Sequence, residues 1–305
     1  MTNTKYCLIL AIFLPLASSC ATNTPVSHVG TFAQSAEAVA DSMISAMEEV
    51  NESGITQRKI SLALDDELNI DEKFFEGAFE NNKGYMARIE ALKNLKSYAS
   101  SLNELATADF RDDVDKAAAE LFGSFSGINN SIQLLGGPVG LLSDSIFTTV
   151  TTTVNAIGTI VIEEKRFIAL KSIVTSTDPV IQKLVELINT DLDKFQLEVE
   201  SNARSVYADE VTALRDEYQK LTFRERVVRL NELDGNYDIR TAAPKFVDQL
   251  AKATLQMGKT HAAVSTALAK DKYSTIESIK QIGKLQEEVA RLREFHETLG
   301  AEEGQ

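Results

Sequence analysis

Apolar residues recur along this chain at alternating spacings of four and three, the repeat that puts one side chain per turn on a single face of a helix. Phe32, Ala36, Val39, Met43, Ala46 and Val50 make the first such seam, and Asn51-Glu52-Ser53-Gly54 reads as its stop. From Ile55 to Gly84 the pattern blurs into what reads as short helices and loops, through the acidic run Asp65-Asp66-Glu67 and the trio Phe74, Phe75 and Phe79. Periodicity returns with Tyr85, Ile89, Leu92, Leu95, Tyr98, Leu102 and Leu105, breaks at Thr107-Ala108-Asp109, and resumes with Val114, Ala118, Leu121, Phe125, Ile128, Ile132 and Leu135. Gly136-Gly137-Pro138 then forces a tight turn.

Beyond that turn Phe147, Val150, Val154, Ile157 and Val161 keep helical spacing, although Thr148 to Val154 is rich enough in β-branched residues to fit a strand as well. Asp178-Pro179 has the form of a helix start, Asp as N-cap and Pro at the first helical position. A helix running unbroken from Pro179 to Leu221 would be ~65 Å long at 1.5 Å per residue. Asp234-Gly235-Asn236 reads as the next turn. Val247, Leu250, Thr254, Met257, His261, Val264 and Leu268 form another seam, and Ile279, Ile282, Leu285, Val289, Leu292 and Leu299 the last, before a tail at 301–305 that should fray. The expectation is an all-α chain, an elongated antiparallel bundle of long helices in one domain spanning 31–300. Five prolines, no tryptophan and a 44% hydrophobic composition agree with long helices that have enough apolar surface to form a core.

Charge modifies this picture at one place. Between Glu120 and Glu163 the sole charged residue is Asp144. One reading makes 121–162 a central apolar helical hairpin, turned at Gly136, Gly137 and Pro138 and buried on all sides. The other makes it a hairpin able to enter a bilayer through Val150, Val154 and Ile157, since Ser145 to Ile162 is eighteen residues without a charge. In layout, long helices flanking an apolar, β-branched hairpin, the chain resembles the α-helical pore-forming toxins of the cytolysin A type. The likeness is one of layout, so it assigns no functional residue.

The N-terminus supplies an address. Lys5 precedes an apolar run from Cys7 to Leu16, shorter than a membrane span and the right length for a signal-peptide core. Leu16-Ala17-Ser18-Ser19-Cys20 follows, with Leu16 one place further from the cysteine than is usual. The segment resembles the lipobox of bacterial lipoproteins. That resemblance implies that residues 1–19 are removed, that Cys20 becomes an acylated first residue, and that Ala21, not being aspartate, sorts the protein to the outer membrane, facing the periplasm. Residues 20–30 would be the lipidated cysteine and a polar tether, of which Ala21 to Gly30 could span at most ~35 Å.

Candidate chemistry is sparse. Cys7 leaves with the leader and Cys20 is consumed by lipid, so no thiol remains for a disulfide, metal or nucleophile. His28, His261 and His296 lie in no ligand motif, and neither metal nor cofactor is expected. Gly123-Ser124-Phe125-Ser126-Gly127 places Phe125 where a nucleophile elbow needs serine. Lys220, Arg224, Arg226 and Arg229 surround Phe223, interleaved with Glu225 and Glu232, a pattern that fits surface pairing and an anionic partner equally. The formal charge of −14, which becomes −15 once Lys5 is removed, argues against nucleic acid. The function expected is a non-enzymatic, lipid-anchored binding or scaffold protein with a protein partner; the alternative is a pore-forming protein using hairpin 121–162. Replacing Cys20 by Ser should abolish palmitate incorporation and release the protein from membranes, and unchanged labelling would reject the lipobox reading.

Overall fold

All the elements described are α-helices, as the apolar spacing requires. The computed structural model describes residues 25–64, 83–138, 148, 152, 162–270 and 275–300. Six helices run along them: α1 Pro25–Leu64, α2 Lys83–Thr107, α3 Arg111–Leu134, α4 Ile162–Glu217, α5 Phe223–Ala269 and α6 Thr275–Gly300. The seam residues of α2 (Tyr85, Ile89, Leu92, Leu95, Tyr98, Leu102, Leu105) are all buried, as are Val114, Leu121, Phe125, Ile128 and Ile132 of α3. Together with Phe32, Val39 and Met43 of α1, Phe195 of α4 and Leu285 and Leu292 of α6 they form one apolar core.

Polar contacts set the register of neighbouring helices. Gln34 of α1 donates to Asn103 of α2 (3.2 Å), while Tyr85 at the start of α2 reaches the Met47 carbonyl (3.4 Å). Asn94 of α2 donates to Ser131 of α3 (3.1 Å). Gln182 of α4 donates to the Gly258 carbonyl of α5 (2.9 Å), where the chains approach closely enough that a Cβ on Gly258 would lie 3.1 Å from Val185. Gln256 of α5 donates to Gln281 of α6 (2.8 Å), and Phe246 stacks on Phe295 at 5.2 Å. Arg166 of α4 donates to the Ala108 carbonyl (2.8 Å) just past the end of α2, where cations complement the helix dipole.

Four boundaries differ from those read off the sequence. The helix α1 begins at Pro25, inside the stretch read as a tether, and His28 and Val29 are already buried. It then passes through Asn51 to Gly54 and ends at Leu64. Asp178-Pro179 is no helix start but lies within α4, and Gly235 lies within α5, whose true beginning is the turn at 218–222. Magnitudes explain the errors. An interior Gly costs ~1 kcal/mol and an interior Pro ~3 kcal/mol. Around Pro179 the side chains of Ile173, Val174, Val180, Ile181 and Leu184 are buried, each worth ~1.5–3 kcal/mol, so packing outweighs the lost hydrogen bond. Residues 65–82, with Phe74, Phe75 and Phe79, and the leader with Cys20 lie outside the described residues.

The chain turns at Gly136 to end α3, and the bonding there explains the glycines. The Gly136 amide donates to the Gln133 carbonyl (3.0 Å) and the Gly137 amide to the Ile132 carbonyl (2.8 Å), the two bonds of a Schellman cap. Gly136 takes φ +83°, a left-handed conformation that disfavours any Cβ. A Cβ on Gly137 would lie 2.6 Å from Ile132 and 2.8 Å from Leu187 of α4. Gly136→Ala should therefore destabilise the protein by ~1 kcal/mol or more. Gly123→Ala, mid-helix with open space around its Cβ position, should stabilise it by ~0.5–1 kcal/mol. Urea unfolding of the two variants checks the opposite signs.

Candidate functional site

Of the site residues suggested by sequence, Gly136, Gly137 and Pro138 form the cap just described, whereas Cys20, Val150, Val154 and Ile157 lie outside the described residues. Thr148 and Thr152 are helical and exposed. No helix of the described residues is long and apolar enough to cross a membrane. No group of three or more His, Cys, Asp or Glu side chains that could hold a metal ion occurs among them.

Two sets of residues emerge instead. The first is a polar line through the core. His261 of α5, fully buried, places Nδ1 2.7 Å from Asp178 Oδ1 of α4 and Nε2 2.8 Å from the Tyr98 hydroxyl of α2. The Tyr98 hydroxyl lies 3.1 Å from Thr177 Oγ1, which lies 2.9 Å from the Ile173 carbonyl. Phe32 of α1 meets the imidazole edge-on at 5.4 Å, and Phe125 of α3 lies 5.5 Å from the Tyr98 ring. A carboxylate only accepts, so Nδ1 carries a hydrogen. With neutral imidazole, Tyr98 donates to Nε2. With imidazolium, Nε2 donates to Tyr98, Tyr98 to Thr177 and Thr177 to the carbonyl, so two rotating hydroxyls satisfy either charge state.

The electrostatics follow from burial. Burial pushes the Asp178 carboxyl up, but the hydrogen bond and charge of His261 and the bond from Gln182 outweigh it and hold the group below its ordinary value. Burial pushes the Tyr98 hydroxyl well above its ordinary value, so it keeps its proton. The arrangement has the connectivity of a proton relay, but Tyr98 and His261 expose almost no surface to a reacting molecule. Its chemistry is that of an internal clamp. A second clamp sits further along α2, where buried Arg88 pairs with Asp191 and Glu198 of α4 (2.8 Å to Glu198) and lies over the Phe195 ring at 5.9 Å. Burial disfavours the charge on Arg88, but the two carboxylates reverse this and raise its pKa above the ordinary value.

The second set lies where α4 and α5 leave the core. Among the described side chains between 201 and 245, only Leu214 is buried. The two helices hold each other there, with Tyr207 and Tyr237 in edge contact at 5.9 Å. At the tip, Thr222 and Glu225 close a capping box that starts α5. Phe223, the first residue of α5, is 83% exposed, and Val227 and Val228 beside it are 41% and 50% exposed. Arg226 lies over the Tyr218 ring at 4.4 Å, and its Nε has no hydrogen-bond partner. Glu232 is taken by Arg229 (2.7 Å) and Glu225 by Thr222, so Lys220 and Arg224 make no ion pair among the described residues. The surface pairing weighed from sequence thus accounts for Arg229 alone.

The sequence marked Phe223 and its cations; of the core line it placed Tyr98 and His261 on apolar seams and Asp178 at a helix start, with no signal that the three meet. Comparison with protein-family models, with curated proteins and with solved structures finds nothing that matches the chain.

Two outcomes follow for the core line. Tyr98→Phe keeps the ring but removes a hydroxyl that His261 and Thr177 share, and should cost ~1–2 kcal/mol in urea unfolding with helicity intact. Because the Asp178 pKa is lowered on folding, its contribution is complete above the ordinary carboxylate value of about 4 and is lost as pH falls through the lowered value. Asp178→Ala should therefore be less stable than the parent by ~1–3 kcal/mol at neutral pH. The gap should narrow below about pH 4; a gap independent of pH would contradict the assigned clamp.

Proposed function

We propose that this chain is a non-enzymatic binding or scaffold protein, held by lipid on Cys20 to the outer membrane and facing the periplasm. The apolar leader and the small residues before Cys20 support the anchor. The body is an elongated antiparallel bundle, with segment 121–162 as a hairpin folded into it. The antiparallel pairing is supported by contacts that join the start of one helix to the end of the next: Gln34 with Asn103 but Met47 with Tyr85, and Gln182 with Gly258 but Tyr207 with Tyr237.

The observation that carries the proposal is the α4–α5 arm. Two helices of 56 and 47 residues leave the core for about five and about six turns and expose at their tip apolar side chains and basic ones that make no ion pair among the described residues. An arm that only spaced two domains would gain nothing from Phe223 in water. Arg166, which contacts the α2–α3 link, and Glu217 at the tip are separated by about 75 Å of helix, so binding at one end is spatially distinct from anchoring at the other.

A photo-crosslinking residue placed at Phe223 of the full-length protein in its own host should capture a partner, while the same residue at Phe110, 72% exposed beside the α2–α3 link, should not. Capture at 110 with none at 223 would overturn the arm as the binding element.

A further inference from the structure

We infer that the α4–α5 tip docks on an anionic phospholipid surface, inserting Phe223 shallowly while Lys220 and Arg224 meet the headgroups. The inference rests on the reading of the arm as the binding element and supplies the chemistry of its partner. Three observations favour lipid. First, Phe223 is 83% exposed at the foremost position of α5, flanked by Val227 and Val228, which puts an apolar wedge where no described residue covers it. Second, the cations around the wedge are available. Lys220 and Arg224 make no ion pair among the described residues, and the carboxylates that interleave with them in sequence are turned to Thr222 and Arg229. Third, the sign of the charge is local. Residues 215–232 hold five cations against four carboxylates within a chain of net charge −14. Screening over about 8–10 Å separates this tip from the acidic body several tens of ångströms away, so a bilayer at the tip meets positive charge. An acidic protein groove would also take the cations, but a single protruding Phe on a convex tip fits the yielding surface of a bilayer better than a preformed pocket.

The wedge sits on the far end of α4 from the α2–α3 link and the start of α1, so a bilayer held there is distinct from one holding the N-terminus.

The chain contains no tryptophan, so Phe223→Trp and Phe110→Trp each give a single fluorescent reporter in the full-length protein. With vesicles of phosphatidylcholine and phosphatidylglycerol, Phe223→Trp should shift to shorter wavelength and be quenched by brominated acyl chains. Phe110→Trp should do neither. Adding Lys220→Gln and Arg224→Gln to the Phe223→Trp chain should weaken the response about thirtyfold at low salt. Raising the salt should weaken the unsubstituted tip as well. Neither substitution breaks an ion pair among the described residues, and unchanged helicity by circular dichroism confirms the fold. An unchanged Phe223→Trp spectrum, an equal shift on pure phosphatidylcholine, or a shift that depends on protein concentration without vesicles would each overturn the inference. The last result would mark a second copy of the chain as the occupant. If lipid gives no shift but a residue at 223 still crosslinks a protein, the arm remains the binding element and only its lipid chemistry falls. If 223 meets neither lipid nor protein, both readings fall.

Discussion

The hydrogen-bonded line from Asp178 through His261 and Tyr98 to Thr177 is the constraint around which the core is arranged. An imidazole, a phenol and a hydroxyl inside an apolar interior are unfavourable unless each finds a partner, and here the partners come from three helices, with α1 and α3 supplying the aromatic walls. Alternating Ala, Leu and Ile seams tolerate sliding by a turn, because one aliphatic contact replaces another. A hydrogen bond does not. A slip of about 5.4 Å, one turn, would strand His261 and Tyr98, and leave Thr177 and Asp178 only the bonds within their own helix.

The pair formed by Arg88 with Asp191 and Glu198 repeats the device some ten residues along α2, about 15 Å away. The cost of desolvating a buried guanidinium makes such a cluster a poor source of net stability. Its effect is on alignment: α2 and α4 are pinned at two levels, and Arg166 at the end of α2 adds a third. Pinning matters because α4 and α5 extend far past the core, and a small error in their registry inside would be magnified at the arm's end.

The helices α4 and α5 each serve two environments. Within the core α4 carries Pro179 without ending, held by buried apolar residues on both sides, and α5 carries Pro244 at the core's edge, with Phe246 and Val247 buried just after it. Beyond it they lose that burial and depend on each other, on Leu214, on the Tyr207–Tyr237 contact and on the Thr222–Glu225 capping box. Helix continuity is what carries the arm out from the bundle, so the features that hold the core together also aim the tip. The same extension separates the tip's charge from that of the acidic body, which a single net figure for the chain conceals.

By itself the amino-acid sequence determined which face of α2, of α3 and of the core half of α5 is buried. The seams of α2, α3 and α5 are core nearly residue for residue, because a 3.6-residue period leaves no other way to hide those side chains from water. It also determined the glycine turn at 136, where a positive φ and two cap bonds need glycine. Where helices end was decided by tertiary structure. Gly54 and Gly235 read as stops and Pro179 as a start because local propensity is all a sequence displays; penalties of ~1–3 kcal/mol yield to packing from segments far away in the chain. The candidate sites divide in the same way. Phe223 and its cations were visible as a cluster, but which carboxylates engaged them depended on side-chain geometry at a turn. Asp178 looked like an N-cap, and its actual partner, His261, is 83 positions further on. Only folding brings those two together, because a hydrogen bond depends on distance in space and leaves no period in the sequence.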